Sequence, residues 1–224
     1  SKVKINFSKK KKIISFVGKL NTAKGYDIFG EAIIKILDKY QEWSAVVIGN
    51  EPRQKLFYKH QRLKILGFKN NNYVLNKLKE VSISVVPSKW DEPFGRSSLE
   101  AASRGCAIIR SDKGGLNETT SSSIVLNKLT SDELYKQLDL LIKKPTNLRK
   151  LQVKTFKQFK LTNNSSSILL DKIRNELIKP KQEISIKCLK ILHITNFNER
   201  FNGRLHYNTS KRINNGLIKL GHNV

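Results

Sequence analysis

IISFVGKLNTAKGYDIFGEAIIKILDKYQEWSAVVIG, residues 13–49, decides the fold. It joins two short apolar runs, IISFVG (13–18) and SAVVIG (44–49), through a stretch in which Ile28, Phe29, Ala32, Ile33, Ile36, Leu37 and Tyr40 recur at steps of three and four. That period is one apolar stripe of a helix, and the β-branched runs on either side suit strands covered on both faces, so the segment is a βαβ unit. Outward from it the alternation continues. LKILGF (63–68), VSISVVP (81–87), CAIIRS (106–111) and SIVL (123–126) are further strand candidates, and helices fit 73–80, 96–104, 131–143, 146–160 and 165–178. The expected fold is α/β, a doubly wound, Rossmann-like parallel sheet with a helical C-terminal extension. Ligands of such sheets sit at the carboxyl ends of the strands, which directs attention to Gly18-Lys19, Gly49-Asn50, Gly67-Phe68, Pro87-Ser88 and Ser111-Asp112.

The 224 residues suffice for one α/β domain and part of another. After KPKQEISIK (179–187) the pattern restarts: CLKILHITNF (188–197) reads as a new buried strand, NERFNGRLHY (198–207) as a polar loop containing Gly203, and NTSKRINNGLIKLGHNV (208–224) as a helix running into another strand. The expected organisation is therefore a domain over 1–180, a linker over 181–187, and an incomplete second Rossmann-like module over 188–224, too short to bury both faces of its strand. The chain contains no Met, and both ends read as cuts in a longer protein.

Lys and Arg number 43 against 18 Asp and Glu, a net charge of +25. Such a charge attracts nucleic acid, anionic lipid or phosphorylated ligands at long range without choosing among them. Solvated helix faces account for most of it. A nucleic-acid module would interleave aromatics with Lys and Arg along one element, a pattern not found here. Cys106 and Cys188, flanked by apolar residues, read as reduced core residues of a cytosolic protein. His60, His193, His206 and His222 form no ligand pattern with Asp or Cys, so no metal site is expected.

Gly18-Lys19 and Lys24-Gly25 bracket the loop between the first strand and its helix, where N–H groups and the helix dipole favour an anion. Neither the Walker pattern nor G-x-G-x-x-G occurs there, which removes the usual triphosphate cradle, dinucleotide enzymes and nucleotide-sugar epimerases. In DEPFGRSSLE (91–100), Gly95 opens a helix that Gly105 closes as a left-handed cap. Glu92 then lies in the loop and Glu100 on the second turn, both beside a crevice that the helix N-terminus at 95–98 also faces. A carboxylate accepts two hydrogen bonds from vicinal hydroxyls, which suits a sugar, although this spacing alone carries little weight.

Taken in order, FVGKLNTAKGYD, VVIGNEP, ILGF and VVPSKWDEPFGRSSLEAASRGCAIIRSDKGGLNET resemble the C-terminal, donor-binding domain of retaining glycosyltransferases of family 4 (GT-B fold), over about residues 12–178. The resemblance implies hexosyl transfer from a nucleotide-diphosphate sugar to a glycan or lipid-linked acceptor, with retention at the anomeric carbon and with no metal or other cofactor. It implies that Glu92 contacts the donor sugar and Glu100 the ribose, and that Phe94, Gly95 and Arg96, next to Pro93, offer N–H groups to sugar and diphosphate. Lys24 falls on the family's diphosphate-binding Lys, and Lys19 stands where Arg is usual, keeping charge but losing the bidentate fork. Gly18 belongs to the same donor loop, and Phe68 marks the turn that holds the nucleobase. Catalysis would fall to Glu92, Lys24 and Lys19, with the two cations and a helix N-terminus stabilising the departing diphosphate. The acceptor site would lie in an N-terminal domain outside this chain, and the tail resembles the start of another GT-B-like module. Cell-envelope polysaccharide synthesis in the cytoplasm is the expected setting; the cationic surface would favour peripheral contact with the anionic inner face of the membrane, and nucleic acid is not expected as a partner. The alternative is a non-catalytic basic module for anionic membrane or nucleic acid. Two details stay open: Gly114-Gly115 either let backbone approach the donor or make a plain turn, and Trp90 either stacks on a ligand or is a half-buried loop aromatic.

Overall fold

The computed structural model describes residues 5–177, 188–193 and 211–224. The chain divides into two compact units, Ser1–Ser166 and Ser167–Val224. In the first, β1 (Lys11–Val17), β2 (Ser44–Ile48), β3 (Leu63–Ile65), β4 (Val81–Val86), β5 (Ala107–Arg110) and β6 (Ile124–Val125) form one sheet in the order β3-β2-β1-β4-β5-β6. Every neighbouring pair is parallel. The expected doubly wound architecture is thus the observed one, and the order reverses between β1 and β4, where a crevice opens at the carboxyl edge.

The helices follow the apolar periods: α1 (Tyr26–Lys39), α2 (Asn71–Glu80), α3 (Arg96–Ser103), the short α4 (Leu116–Thr119), α5 (Ser131–Lys143), α6 (Pro145–Gln158) and α7 (Asn163–Leu177). α4 has no counterpart in the sequence reading, because four residues are too few to show a period. Alternate residues of the strands serve opposite layers. Ile14, Phe16, Val47, Val85 and Ile109 pack with α1 and α5, while Val46, Ile48 and Ile108 pack with α2 and α3. Each fully buried Ile, Leu or Phe contributes about 1.5–3 kcal/mol, so the stripe of α1 alone secures that helix. On the other layer, the Lys10 ammonium donates to carbonyls of Leu78 (2.9 Å), Val81 (2.7 Å) and Arg104 (2.7 Å), at the ends of α2 and α3. Burial lowers its pKa below the usual lysine value, and the same burial pushes the adjacent Cys106 thiol up.

The second unit departs from expectation. Of the strand expected over 188–197, residues 194–197 lie outside the described residues, and in 188–193 Lys190 pairs with Asn223 in a single parallel bridge while Leu189 and Leu192 are exposed. Cys188 is exposed as well, so only Cys106 is a core cysteine. The physical reason is cover: among the described residues a lone bridge gives this apolar run neither a ladder nor two packed faces. The expected helix is present as α8 (Lys211–Lys219). The linker over 181–187 and the loop at 198–207 with Gly203 lie outside the described residues.

Candidate functional site

Two loops meet where the strand order reverses. The first follows β1 and runs from Gly18 to Gly25; the second follows β4 and leads into α3. The carbonyl of Ala23 accepts from the N–H groups of Lys89 (2.9 Å) and Trp90 (3.0 Å) and from the Ser88 hydroxyl (3.2 Å), tying one loop to the other. Gly25 sits at φ +70°, and a Cβ there would come within 2.0 Å of the Pro87 carbonyl, so the contact requires glycine. A third tether comes from the loop after β2: Glu51 accepts from Arg53 (2.8 Å) and from Asn21 (3.2 Å) of the first loop. The Arg53 guanidinium holds the Glu51 carboxyl down at about 2.

With the loops fixed, the Lys24 ammonium lies 2.6 and 2.7 Å from the two carboxylate oxygens of Glu92. The pair is largely sheltered, the Lys24 side chain 28% and the Glu92 side chain 12% exposed. Behind it, Glu92 forms a parallel bridge with Gly114, and the Gly115 N–H donates to the Glu92 carbonyl at 2.6 Å. Gly114 has φ +54°, and a Cβ would stand 2.5 Å from that carbonyl oxygen. Gly114 and Gly115 thus bring the backbone hard against the protein's own 91–94 loop.

Arg110, at the end of β5 and 5% exposed, organises this third loop. It donates to the Ser111 carbonyl (2.9 Å), Asn117 Oδ1 (2.7 Å) and Ser123 Oγ (2.8 Å). Burial lowers its pKa below the usual arginine value. The sequence reading passed over Arg110; its signal was a charged residue inside a run otherwise made of buried strand positions.

Glu100 faces the same cleft, where its Oε1 accepts from Asn71 Nδ2 (2.8 Å) and Arg96 Nη2 (3.3 Å). The cleft encloses about 420 Å³, and of the residues singled out from the sequence it is lined by Gly18, Lys24, Phe68, Glu92, Arg96 and Glu100. Lys19, Pro93 and Phe94 lie exposed outside that lining, and Gly95 is buried beneath it as the N-cap of α3. Ser88, one of the strand-end positions read from the sequence, and Ser97, in the expected helix N-terminus, line it too, whereas the polar lining residues Lys69 and Asn71 were not anticipated. Lys69 and Asn71 could have been found from their place, directly after a strand and around the capping Asn70 of α2. Phe68 is 81% exposed and Trp90 60%, so Trp90 is not the half-buried loop aromatic of one reading. Among the described residues, no three His, Cys, Asp or Glu side chains are grouped to hold a metal ion, and no helix is long and apolar enough to cross a membrane.

Chemically, the cleft offers a carboxylate and an ammonium at its centre, a second carboxylate on the α3 side, and the N-terminus of α3 between them. Hydroxyl donors match the two carboxylates, and an anion matches Lys24 and the helix N-terminus.

Comparison with known proteins points the same way. The profile of the family described as glycosyl transferases group 1 matches residues 1–158. The chain is similar to the uncharacterized glycosyltransferase MJ1607 of Methanocaldococcus jannaschii, 32% identical over 127 residues, covering 51% of this chain and 32% of that protein. Among solved structures it resembles the C-terminal domain of a glycosyl transferase group 1 family protein, LpcC, from Francisella tularensis, with a TM-score of 0.60, 26% identity, and coverage of 67% of this chain and 87% of that domain. HepE of Anabaena in complex with UDP-glucose shares the fold, with a TM-score of 0.59 at 17% identity over 74% of this chain and 49% of that one. The chain spans about a third of the length of the curated relatives it matches.

Proposed function

The chain belongs to the glycosyl transferases group 1 family, and from that premise we propose that its first unit is the donor-binding half of a retaining, metal-independent transferase of family 4 type. The donor is a nucleotide-diphosphate sugar, and the acceptor a glycan or lipid-linked glycan of the cell envelope, met at the cytoplasmic side of a membrane. The observation that carries the reading is the Lys24–Glu92 pair, set at 2.6 Å beside the N-terminus of α3. The UDP-glucose held by HepE is one such ligand on this fold.

When the donor enters, Lys24 transfers its hydrogen bonds from Glu92 to the diphosphate, and Glu92 accepts from the sugar hydroxyls instead. Glu100 accepts from the ribose hydroxyls, held in place by Asn71. Phe68 offers an apolar face to the base. The acceptor hydroxyl then forms its bond to the anomeric carbon on the face from which the phosphate leaves. The bond from that carbon to the phosphate oxygen breaks, and the acceptor proton passes to the departing phosphate. Charge accumulates on that phosphate, where Lys24, Lys19 and the α3 N–H groups stabilise it. Glu92 forms no covalent bond. A non-catalytic basic module would leave this sheltered acid–base pair without a role.

Calorimetry or saturation-transfer NMR against UDP-, GDP- and ADP-sugars tests the reading. One nucleotide class should bind, and Glu100→Ala should weaken it about tenfold, the loss of a charge-assisted hydrogen bond. Failure of every nucleotide sugar to bind would sink the proposal.

A further inference from the structure

α6 has an unusual outer face. Arg149, Lys150, Lys154 and Lys157 are all exposed on it, Lys160 is exposed just beyond its end, and the helix contains no acidic residue. Elsewhere lysines find carboxylates: Lys11 with Glu80, Lys12 with Glu42, Lys35 with Asp132, and Lys39 with Asp139. Among the described residues none of the five cations on or beside α6 has a carboxylate within 4.0 Å, the distance that defines those pairs.

The inner face of α6 is already committed. Leu148 is buried, Gln152 donates to the Ser82 carbonyl (3.0 Å), and Thr155 donates to the Ser122 carbonyl (2.7 Å). The helix is therefore seated on the sheet and presents its cations as a fixed row. Lys150, Lys154 and Lys157 fall at i, i+4 and i+7, one line along the axis about 10 Å long at 1.5 Å per residue. Beside them Val153 and the aliphatic stems floor a shallow depression of about 470 Å³.

We propose that this face docks on an anionic lipid bilayer. Charge complementarity selects a polyanionic partner. The absence of exposed aromatics on the row, with Phe156 and Phe159 both half-buried, disfavours single-stranded nucleic acid, whose bases need stacking platforms. Four of the five cations are lysines, point charges that suit mobile headgroups better than the bidentate recognition arginine provides. Because the apolar side of α6 is spent on the sheet, docking is electrostatic and reversible, without insertion. The inference stands on this face and not on the donor cleft, so the two can fail separately.

The test is co-sedimentation of the whole chain with phosphatidylcholine vesicles, with and without phosphatidylglycerol, at low and high salt. The comparison is the triple variant Lys150→Gln, Lys154→Gln, Lys157→Gln. The chain should bind only the anionic vesicles, release at high salt, and lose about tenfold or more in affinity in the triple variant, at unchanged melting temperature and nucleotide-sugar binding. Undiminished vesicle binding by the triple variant, or equal binding to neutral vesicles, would overturn the proposal. So would duplex DNA or RNA that displaces the wild-type chain from vesicles and loses its own binding in the triple variant, since that result assigns the row to nucleic acid.

Discussion

Lys24 and Glu92 neutralise each other across 2.6 Å in a cleft that water only partly reaches. Each sheltered charge is tolerated because the other is present, so removing one leaves its partner uncompensated. Lys24→Met should therefore destabilise the fold by about 1–3 kcal/mol, and Glu92→Gln by a similar amount, within the range for an unpaired polar or charged group. The double variant should lose less than the sum, because it leaves no orphan, and the coupling should reach about 1 kcal/mol or more. Denaturant melts of the four proteins measure it, and strict additivity would show that the pair contributes no mutual energy. The same cycle separates folding from function: a nucleoside diphosphate lacking the sugar should bind Glu92→Gln at least as well as wild type, because Lys24 is freed, and should bind Lys24→Met about tenfold more weakly.

At the scale of elements, α3 connects the cleft at the carboxyl edge of the sheet to its amino edge. Its first turn carries Arg96 and Ser97 at the cleft, and its last carbonyls end near Lys10, which also collects those of α2. A buried ammonium making three such bonds cannot be replaced by an apolar chain without orphaning the carbonyls. Lys10→Met should cost about 2–4 kcal/mol, against under about 1 kcal/mol for the exposed Lys11→Met, and urea melts distinguish them. In Lys10→Met the α2 and α3 amides should also lose hydrogen-exchange protection first. This contrast explains what was legible in the sequence. The strands and long helices announced themselves through local periods, and Lys24, Phe68, Glu92 and Glu100 through their places after strands or in the turn of a helix. Lys10 reaches Arg104 across 94 positions and could not stand out in a Lys-rich chain, whereas Arg110 shows only as a charge inside an apolar strand run, its role depending on a loop that folds back on Glu92. The run CLKIL misled for the converse reason. Apolarity shows that a strand could be buried, while burial depends on neighbours, and among the described residues of the second unit these supply the single bridge from Lys190 to Asn223.

For the whole molecule, the net charge of +25 makes stability depend on the few carboxylates that offset it. Arg53 holds Glu51 at about 2 against an ordinary 4.5, and Lys143 and Lys39 hold Asp139 well below the usual aspartate value. A depressed folded-state pKa means that the unfolded chain takes up protons first. The stabilisation is therefore complete above pH 4.5 and is lost as pH falls toward 2, while self-repulsion grows over the same interval. At the alkaline end the sign reverses. Burial pushes the Tyr26 hydroxyl up to about 12 from an ordinary 10, so its contribution is full below pH 10 and lost as pH rises through 12. Thermal melts should accordingly show a plateau between these limits and a fall on each side. Glu51→Gln should lower the plateau, because Arg53 and Asn21 lose their carboxylate, and should make the acid limb shallower, because one of the groups that titrates there has gone. An acid limb of unchanged slope in that variant would move the origin of acid sensitivity from the tether beneath the Lys24 loop to general charge repulsion.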